Sequence, residues 1–318
     1  MEYRMTLHHE TVLFSKTLRA ASDHLEVKLE FVEKDYWLTL VLANLARSKF
    51  AEMAVFKGGT SLSKGYNLIE RFSEDVDIAI LHNKAKTGNE IKTIIRTIEK
   101  EISVDLTELE IRGVTSKGSR FRKSVFEYLS IDKSNQNNKL IIEVNSFANP
   151  IPFLQLPIQS FVYDFLLHSK NIVFIDQYHL HPFEINVLSK EQTLIEKLVS
   201  LIRVSYSRNA TESISTKIRH FYDLYFLMND PLCEALLSTT DFKKQFEQVL
   251  QDDRSLFTEP LGWQSKKLSE SPLINDFENT WKQLKGKYQT ELSALAYRSI
   301  PSEEKVAQKM KDLLILIG

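Results

Sequence analysis

The chain has 318 residues, 41 basic and 42 acidic, for a net charge of −1. That balance excludes a globally basic nucleic-acid binder and leaves room for a local basic patch. Hydrophobic residues make up 43% and charged residues 26%, an ordinary globular composition whose length suggests about two domains. A single cysteine, Cys233, rules out an intramolecular disulfide and a cysteine-based zinc site, and fits a reducing compartment. The opening MEYRMTLHHE lacks the apolar core of a signal peptide, and no run of roughly 18 apolar residues occurs. The expectation is a cytoplasmic chain with no membrane association.

Taken in chain order, residues 10–48 read as helical, and Phe31–Ala46 carries apolar residues at helical spacing without Gly or Pro. Met53–Phe56 is a short apolar strand that ends at Lys57-Gly58-Gly59. A helix over Thr60–Ile69 follows, with Thr60 or Ser61 as its N-cap. Val76–Leu81 is the next strand, and residues 88–101 the next helix. From Leu106 to Ser146 the β-branched and aromatic residues predict strands, with Lys133–Lys139 as a hairpin loop. Pro150, Pro152 and Pro157 punctuate the chain, and residues 183–188 close the sheet region. Beyond Ser189 the pattern is helical: Thr193–Ser205, Lys217–Met228, Asp241–Gln251, Leu273–Lys285 and Glu303–Ile317. The fold class expected is α+β and bilobed, with a mixed-sheet lobe over residues 1–188 and a helical C-terminal lobe over residues 189–318.

The chemistry concentrates in FKGGTSLSKGYNLIERFSEDVDIAI, residues 56–80. Glycines let backbone N–H groups approach a ligand closely, and a helix N-terminus favours anions, so Gly58 and Gly59 suit a triphosphate. Asp75 and Asp77 stand two apart at a strand start and point to one face. Two converging carboxylates can hold a hard divalent cation such as Mg2+ together with substrate phosphates. Either element alone is commonplace, a capping turn or an exposed acidic loop; the ordered combination is far more specific.

That combination is the signature of polymerase-beta-like nucleotidyltransferases, and KGGTSLSKGYNLIERFSEDVDI resembles the AbiEii-type toxins of abortive-infection and type IV toxin–antitoxin systems. Glu33-Lys34-Asp35-Tyr36-Trp37, Glu196-Lys197-Leu198 and Arg219-His220-Phe221-Tyr222-Asp223-Leu224-Tyr225 resemble three further family segments. The likeness spans about residues 28–228. It implies a polymerase-beta-like nucleotidyltransferase lobe, with Gly58, Gly59, Thr60 and Ser61 at the triphosphate and Ser73 in the site. Asp75 and Asp77 would hold the metals, with Glu143 as a third carboxylate on a later strand. It also implies that Lys197 lies in the active site and that Asp223 contributes to catalysis.

By geometry alone Lys197 would be a solvated lysine on an amphipathic helix. Asp223, four residues after Arg219, would form an ordinary i,i+4 ion pair with it. Glu143, inside the apolar KLIIEVNSF, needs a partner or a metal if buried. Residues 112–123 carry Arg112, Lys117, Arg120, Arg122 and Lys123 with no acidic residue, and Arg203, Arg208, Lys217 and Arg219 form a second basic set. Such runs are usually solvated faces, but an RNA substrate would need phosphate contacts of this kind. The eight histidines show no paired zinc spacing, and His179 and His181 read as surface residues.

The expected function is a Mg2+-dependent enzyme that moves a nucleotidyl group from an NTP to an acceptor hydroxyl. The resemblance implies a bacterial toxin that adds nucleotides to the 3′ end of tRNA and blocks translation, with a separately encoded antitoxin as partner. The alternatives are nucleotidylation of a protein or a small molecule by the same fold, a kinase-like phosphotransferase, and a non-catalytic nucleotide-binding module.

Overall fold

A computed structural model describes residues 4–73, 75–81, 87–132 and 137–318. Most of the expected hairpin loop at 133–139 falls outside them. The chain divides into two compact units: Met1–Asn67 with Phe72–Leu188, and Leu68–Arg71 with Ser189–Gly318.

In the first unit, a 3-10 turn at Leu7–His9 leads into α1 (Thr11–Leu25) and α2 (Leu29–Arg47). The single helical region expected over 10–48 is broken where Glu26 takes a left-handed conformation, φ 55°. Strand β1 (Ala54–Lys57) runs into α3 (Gly58–Lys64), and β2 (Asp75–Ile80) follows. Helix α4 (Gly88–Ile102) opens on a capping box, Thr87 with Glu90, and buries Ile91, Ile95, Ile98 and Ile102 at helical spacing. Then come β3 (Thr107–Leu109), β4 (Ser116–Lys117), β5 (Phe121–Glu127), β6 (Lys139–Asn145) and β7 (Phe153–Ile158). Helices α5 (Phe161–His168) and α6 (Ile172–Gln177) and strand β8 (Phe183–Leu188) complete the unit.

Among the described residues the strands form one mixed sheet in the order β3-β5-β6-β2-β1-β8-β7, with β4 on β5. Strand β2 runs antiparallel to β1 and parallel to β6, which places Asp77 beside Lys57 on one side and Glu143 on the other. Alternation sorts the faces. Val76, Ile78, Leu140, Ile142 and Val144 are buried on the face covered by α2 and α4, while Asp75, Asp77 and Glu143 remain half-buried on the opposite face. The one unexpected strand is β7, whose Pro157 is tolerated because β7 lies at the sheet edge.

The second unit is helical. Its centre is α7 (Lys190–Ser205), capped by the Ser189 hydroxyl and burying Leu194, Leu198, Leu201 and Ile202. Around it stand α8 (Ala210–Ser215), α9 (Ile218–Met228), α10 (Pro231–Leu237) and α11 (Thr240–Leu256). Helices α12 (Pro272–Asn275), α13 (Phe277–Leu295) and α14 (Glu303–Ile315) follow. The strip Leu68–Arg71, which lies in sequence between α3 and β2, also belongs here. Arg71 bridges Ala296 in antiparallel fashion, and the Tyr297 N–H donates to the Glu70 carbonyl at 3.0 Å. No helix among the described residues is long and apolar enough to cross a membrane.

Candidate active site

The glycine turn is built by close packing. Gly58 has φ +82°, and a Cβ placed on it would lie 2.1 Å from Asp77 Oδ2. Only glycine meets both demands, the left-handed backbone and the carboxylate against the α-carbon. Helix α3 therefore opens at Gly58, two residues earlier than the spacing predicts, and ends at Lys64 rather than Ile69. Lys57, not Thr60 or Ser61, occupies the N-cap position. The two hydroxyls have other work. Thr60 Oγ1 donates to the Asp75 carbonyl at 2.5 Å, and Ser61 Oγ donates to the Gly58 carbonyl at 2.9 Å. Thr60 thus ties the glycine helix to the first residue of β2. The first-turn N–H groups of an α-helix have no intrahelical acceptor; with Lys57 at the N-cap, they include those of Gly58, Gly59 and Thr60.

On the sheet, Asp75 and Asp77 share a face with Glu143, and Glu143 is the register partner of Asp77. The next strand adds Lys123, the register partner of Glu143, whose Nζ is 2.6 Å from Glu143 Oε1. Burial works to lower the pKa of Lys123. Glu143, and behind it Asp75 and Asp77, outweigh burial and hold the ammonium above its ordinary value. Three carboxylates thus share one face of two adjacent strands, and oxygen donors of this type are what a Mg2+-class ion takes. Ser73 is buried in the segment before β2.

The Glu33-Lys34-Asp35 run braces this region from α2. Asp35, 2% exposed, receives Lys64 Nζ at 2.6 Å and the Phe161 N–H at 2.8 Å. Glu33 receives the Ser130 hydroxyl and the Ile131 N–H; burial still pushes its carboxyl pKa up.

In the second unit, Asp223 is completely buried on α9. It does not pair with Arg219, as helical spacing suggests; Arg219 meets Glu291 at 3.4 Å. Instead Arg71 clasps it in bidentate fashion, with Nε to Oδ1 and Nη2 to Oδ2 both at 2.7 Å, and Lys197 Nζ reaches Oδ2 at 2.7 Å. Arg71 wins because it is itself buried where the strip Leu68–Arg71 meets the helices, whereas Arg219 is half-exposed. Burial alone would raise the Asp223 carboxyl, but the two cations overcome it and hold it well below the usual carboxylate range. His220, the neighbour on α9, is kept neutral by burial and then by Lys197 and Lys217.

The sequence-derived residues therefore fall into two sets, each complete within its own unit: Gly58, Gly59, Thr60, Ser61, Ser73, Asp75, Asp77 and Glu143, and Lys197 with Asp223. Lys123 was read only as part of a basic run and not as the partner of Glu143, and Arg71 escaped the sequence reading. The visible signal for Lys123 was its place across a hairpin from the lone glutamate of β6. For Arg71 there was none, since its partner lies 152 residues away. The basic runs are largely neutralised: Lys117 pairs with Glu108, Arg122 with Glu99 and Arg203 with Asp253, while Arg112, Arg120 and Arg208 are exposed. His181 is exposed and pairs with Asp176.

A search of curated proteins finds no match. Among solved structures, MenT4, a nucleotidyltransferase toxin from Mycobacterium tuberculosis, aligns over 95% of this chain and 98% of its own, with 15% identity and a TM-score of 0.49. The family model described as nucleotidyl transferase AbiEii toxin, type IV toxin–antitoxin system, matches residues 40–309. The chain belongs to that family and is a nucleotidyltransferase.

Proposed function

We propose that this enzyme transfers a nucleotidyl group from an NTP to the 3′ end of tRNA, blocks translation by doing so, and is held in check by a separately encoded antitoxin. The observation that carries the reading is the close approach of the Asp77 carboxylate to Gly58, which sets the first turn of α3 directly against Asp77. In this reading the N–H groups of Gly58, Gly59 and Thr60 take phosphate oxygens, with Ser61 beside them at the triphosphate. Asp75 and Asp77 hold Mg2+, and Glu143 joins them when its pair with Lys123 opens. When bound, Mg2+ supplies charge neutralisation along the triphosphate and alignment for in-line displacement. A bond forms between the acceptor oxygen and the α-phosphorus, the α–β phosphoanhydride breaks, and pyrophosphate leaves.

Lys197 neutralises developing phosphate charge in this proposal. Asp223, with no exposed surface, acts as a positioning residue that orients Lys197. Residues 1–188 supply the nucleotidyltransferase lobe and residues 189–318 the helical lobe.

One observation favours a second reading. Most of the arginines and lysines that could grip RNA phosphates are already paired with carboxylates. A protein or small-molecule hydroxyl would need no such grip. Incubation with Mg2+, total tRNA and each of four α-32P-labelled NTPs separates the two. Label in tRNA with wild type, and none with Asp75→Ala, supports the tRNA reading. Label appearing only when cell lysate is added moves the acceptor to a protein or small molecule.

A further inference from the structure

Spacing along the chain reveals no zinc motif, but the fold brings together three ligand-bearing side chains from positions almost a hundred residues apart. The 3-10 turn Leu7–His9 packs on α2, and the His8 side chain is 5% exposed. Its ring lies 4.8 Å from the Trp37 ring. Its Nδ1 is 2.8 Å from the Tyr36 hydroxyl, which also accepts the His8 backbone N–H at 3.2 Å. The other ring nitrogen, Nε2, is buried without a hydrogen-bond partner. It points toward Asp105 Oδ2 at 3.9 Å, beyond hydrogen-bond reach. Asp105 lies just past the end of α4. The His9 ring packs edge-on against that of His8 at 4.3 Å. One ligand atom from each of His8, His9 and Asp105 lies within 4.8 Å of the others.

We propose that His8, His9 and Asp105 form a second metal site, of the zinc class, apart from the Asp75–Asp77 carboxylates. Two imidazoles and one carboxylate are borderline ligands that suit zinc-type ions, whereas Mg2+ and Ca2+ prefer oxygen alone. Three protein ligands leave a fourth position for water. The geometry is open but close. Ligands about 2.0–2.1 Å from a tetrahedral ion stand roughly 3.3 Å from one another, so the three atoms need to converge by up to about 1.5 Å from separations within 4.8 Å. His8 is fixed by its burial, and the exposed His9 and Asp105 side chains can move to it. Ligation through Nε2 requires the ring proton on Nδ1, donated to the Tyr36 oxygen. Tyr36 thereby takes the place of the outer partner that fixes a ligating histidine's tautomer. A bound ion would pin the start of the chain to the turn after α4, with α2 behind both.

The test uses the untagged full-length chain with Mg2+ in excess, so that the carboxylate pair does not compete. Zn2+ is titrated against a chromophoric chelator, and Co2+ binding is followed by its visible absorption. The expected result is one Zn2+ per chain and a Co2+ band in wild type. His9→Ala and Asp105→Asn should each weaken Zn2+ binding at least tenfold and abolish the band, while His181→Ala leaves both unchanged. His9 and Asp105 are exposed, so circular dichroism and the zinc-free Tm of both variants should match wild type. Equal Zn2+ affinity and stoichiometry in wild type, His9→Ala and Asp105→Asn would overturn the assignment, as would a Co2+ band that survives either substitution.

Discussion

Substituting Asp223 by Asn removes one negative charge from between two cations and changes little else in shape. Arg71 and Lys197, with side chains 3% and 7% exposed, would then face each other without the Asp223 carboxylate between them. A contact of about 4 Å at an effective dielectric near 20 contributes roughly 4 kcal/mol before desolvation is counted. Breaking a buried ion pair from one side costs about 3–5 kcal/mol. A transition of this unit's size should therefore fall by roughly 6–20 °C in Tm. Urea unfolding followed by tryptophan fluorescence reads this directly, because Trp263 and Trp281 both belong to the second unit. The triple replacement Arg71→Met, Lys197→Met and Asp223→Leu should recover part of the loss, since the three-residue cluster then becomes apolar. The pH dependence has a definite sign. The folded carboxyl is depressed, so in acid the unfolded chain binds more protons and stability rises with pH. The contribution is complete above about pH 5 and declines as pH falls through the ordinary aspartate value near 3.9 and below. An Asp223→Asn variant within about 0.5 kcal/mol of wild type would refute the reasoning, as would strict additivity of Arg71→Met and Asp223→Asn.

Three further outcomes follow from the same geometry. Gly58→Ala should abolish nucleotidyl transfer while far-UV circular dichroism stays native, because its Cβ would drive Asp77 out of place; retained activity would contradict the close packing. Lys123→Met removes the cation that holds Glu143, so Mn2+ should bind roughly tenfold tighter by calorimetry, about 1.4 kcal/mol; unchanged affinity would mean that Glu143 lies outside the metal set. Asp35→Ala takes the acceptor from the Phe161 N–H and leaves Lys64 only the Gln159 carbonyl and the nearby Asp164, and should lower stability by about 3 kcal/mol in denaturant melts read through Trp37.

Much of the carboxylate site was legible because its signals are local. Asp75 and Asp77 stand two apart on a strand, and Gly58-Gly59 follows an apolar run directly. The errors were also local, and their causes are physical. Thr60 and Ser61 looked like caps because hydroxyls at helix starts usually are. Here the glycine carries the turn, and the Thr60 hydroxyl is spent on Asp75, which no window around Thr60 can reveal. The Arg219–Asp223 pair was the default of helical spacing, and it lost to an arginine that only the tertiary fold delivers. The basic run 112–123 looked uniform, yet strand alternation splits it. Arg122 turns to Glu99 on α4, and Lys123 turns to Glu143 on the carboxylate face. The histidine–aspartate cluster was invisible for the same reason as Arg71: its members meet only when the Leu7–His9 turn and the turn after α4 come together.

The central claim is that this chain moves the α-phosphoryl group of an NTP through Asp75 and Asp77. The most direct measurement compares α-32P- and γ-32P-labelled NTP in the presence of Mg2+, tRNA and cell lysate, for wild type and Asp77→Asn. The account predicts acceptor labelling from the α position only, pyrophosphate as the product carrying the γ label, and no transfer by Asp77→Asn. Transfer of the γ label, or full activity of Asp77→Asn, would contradict it.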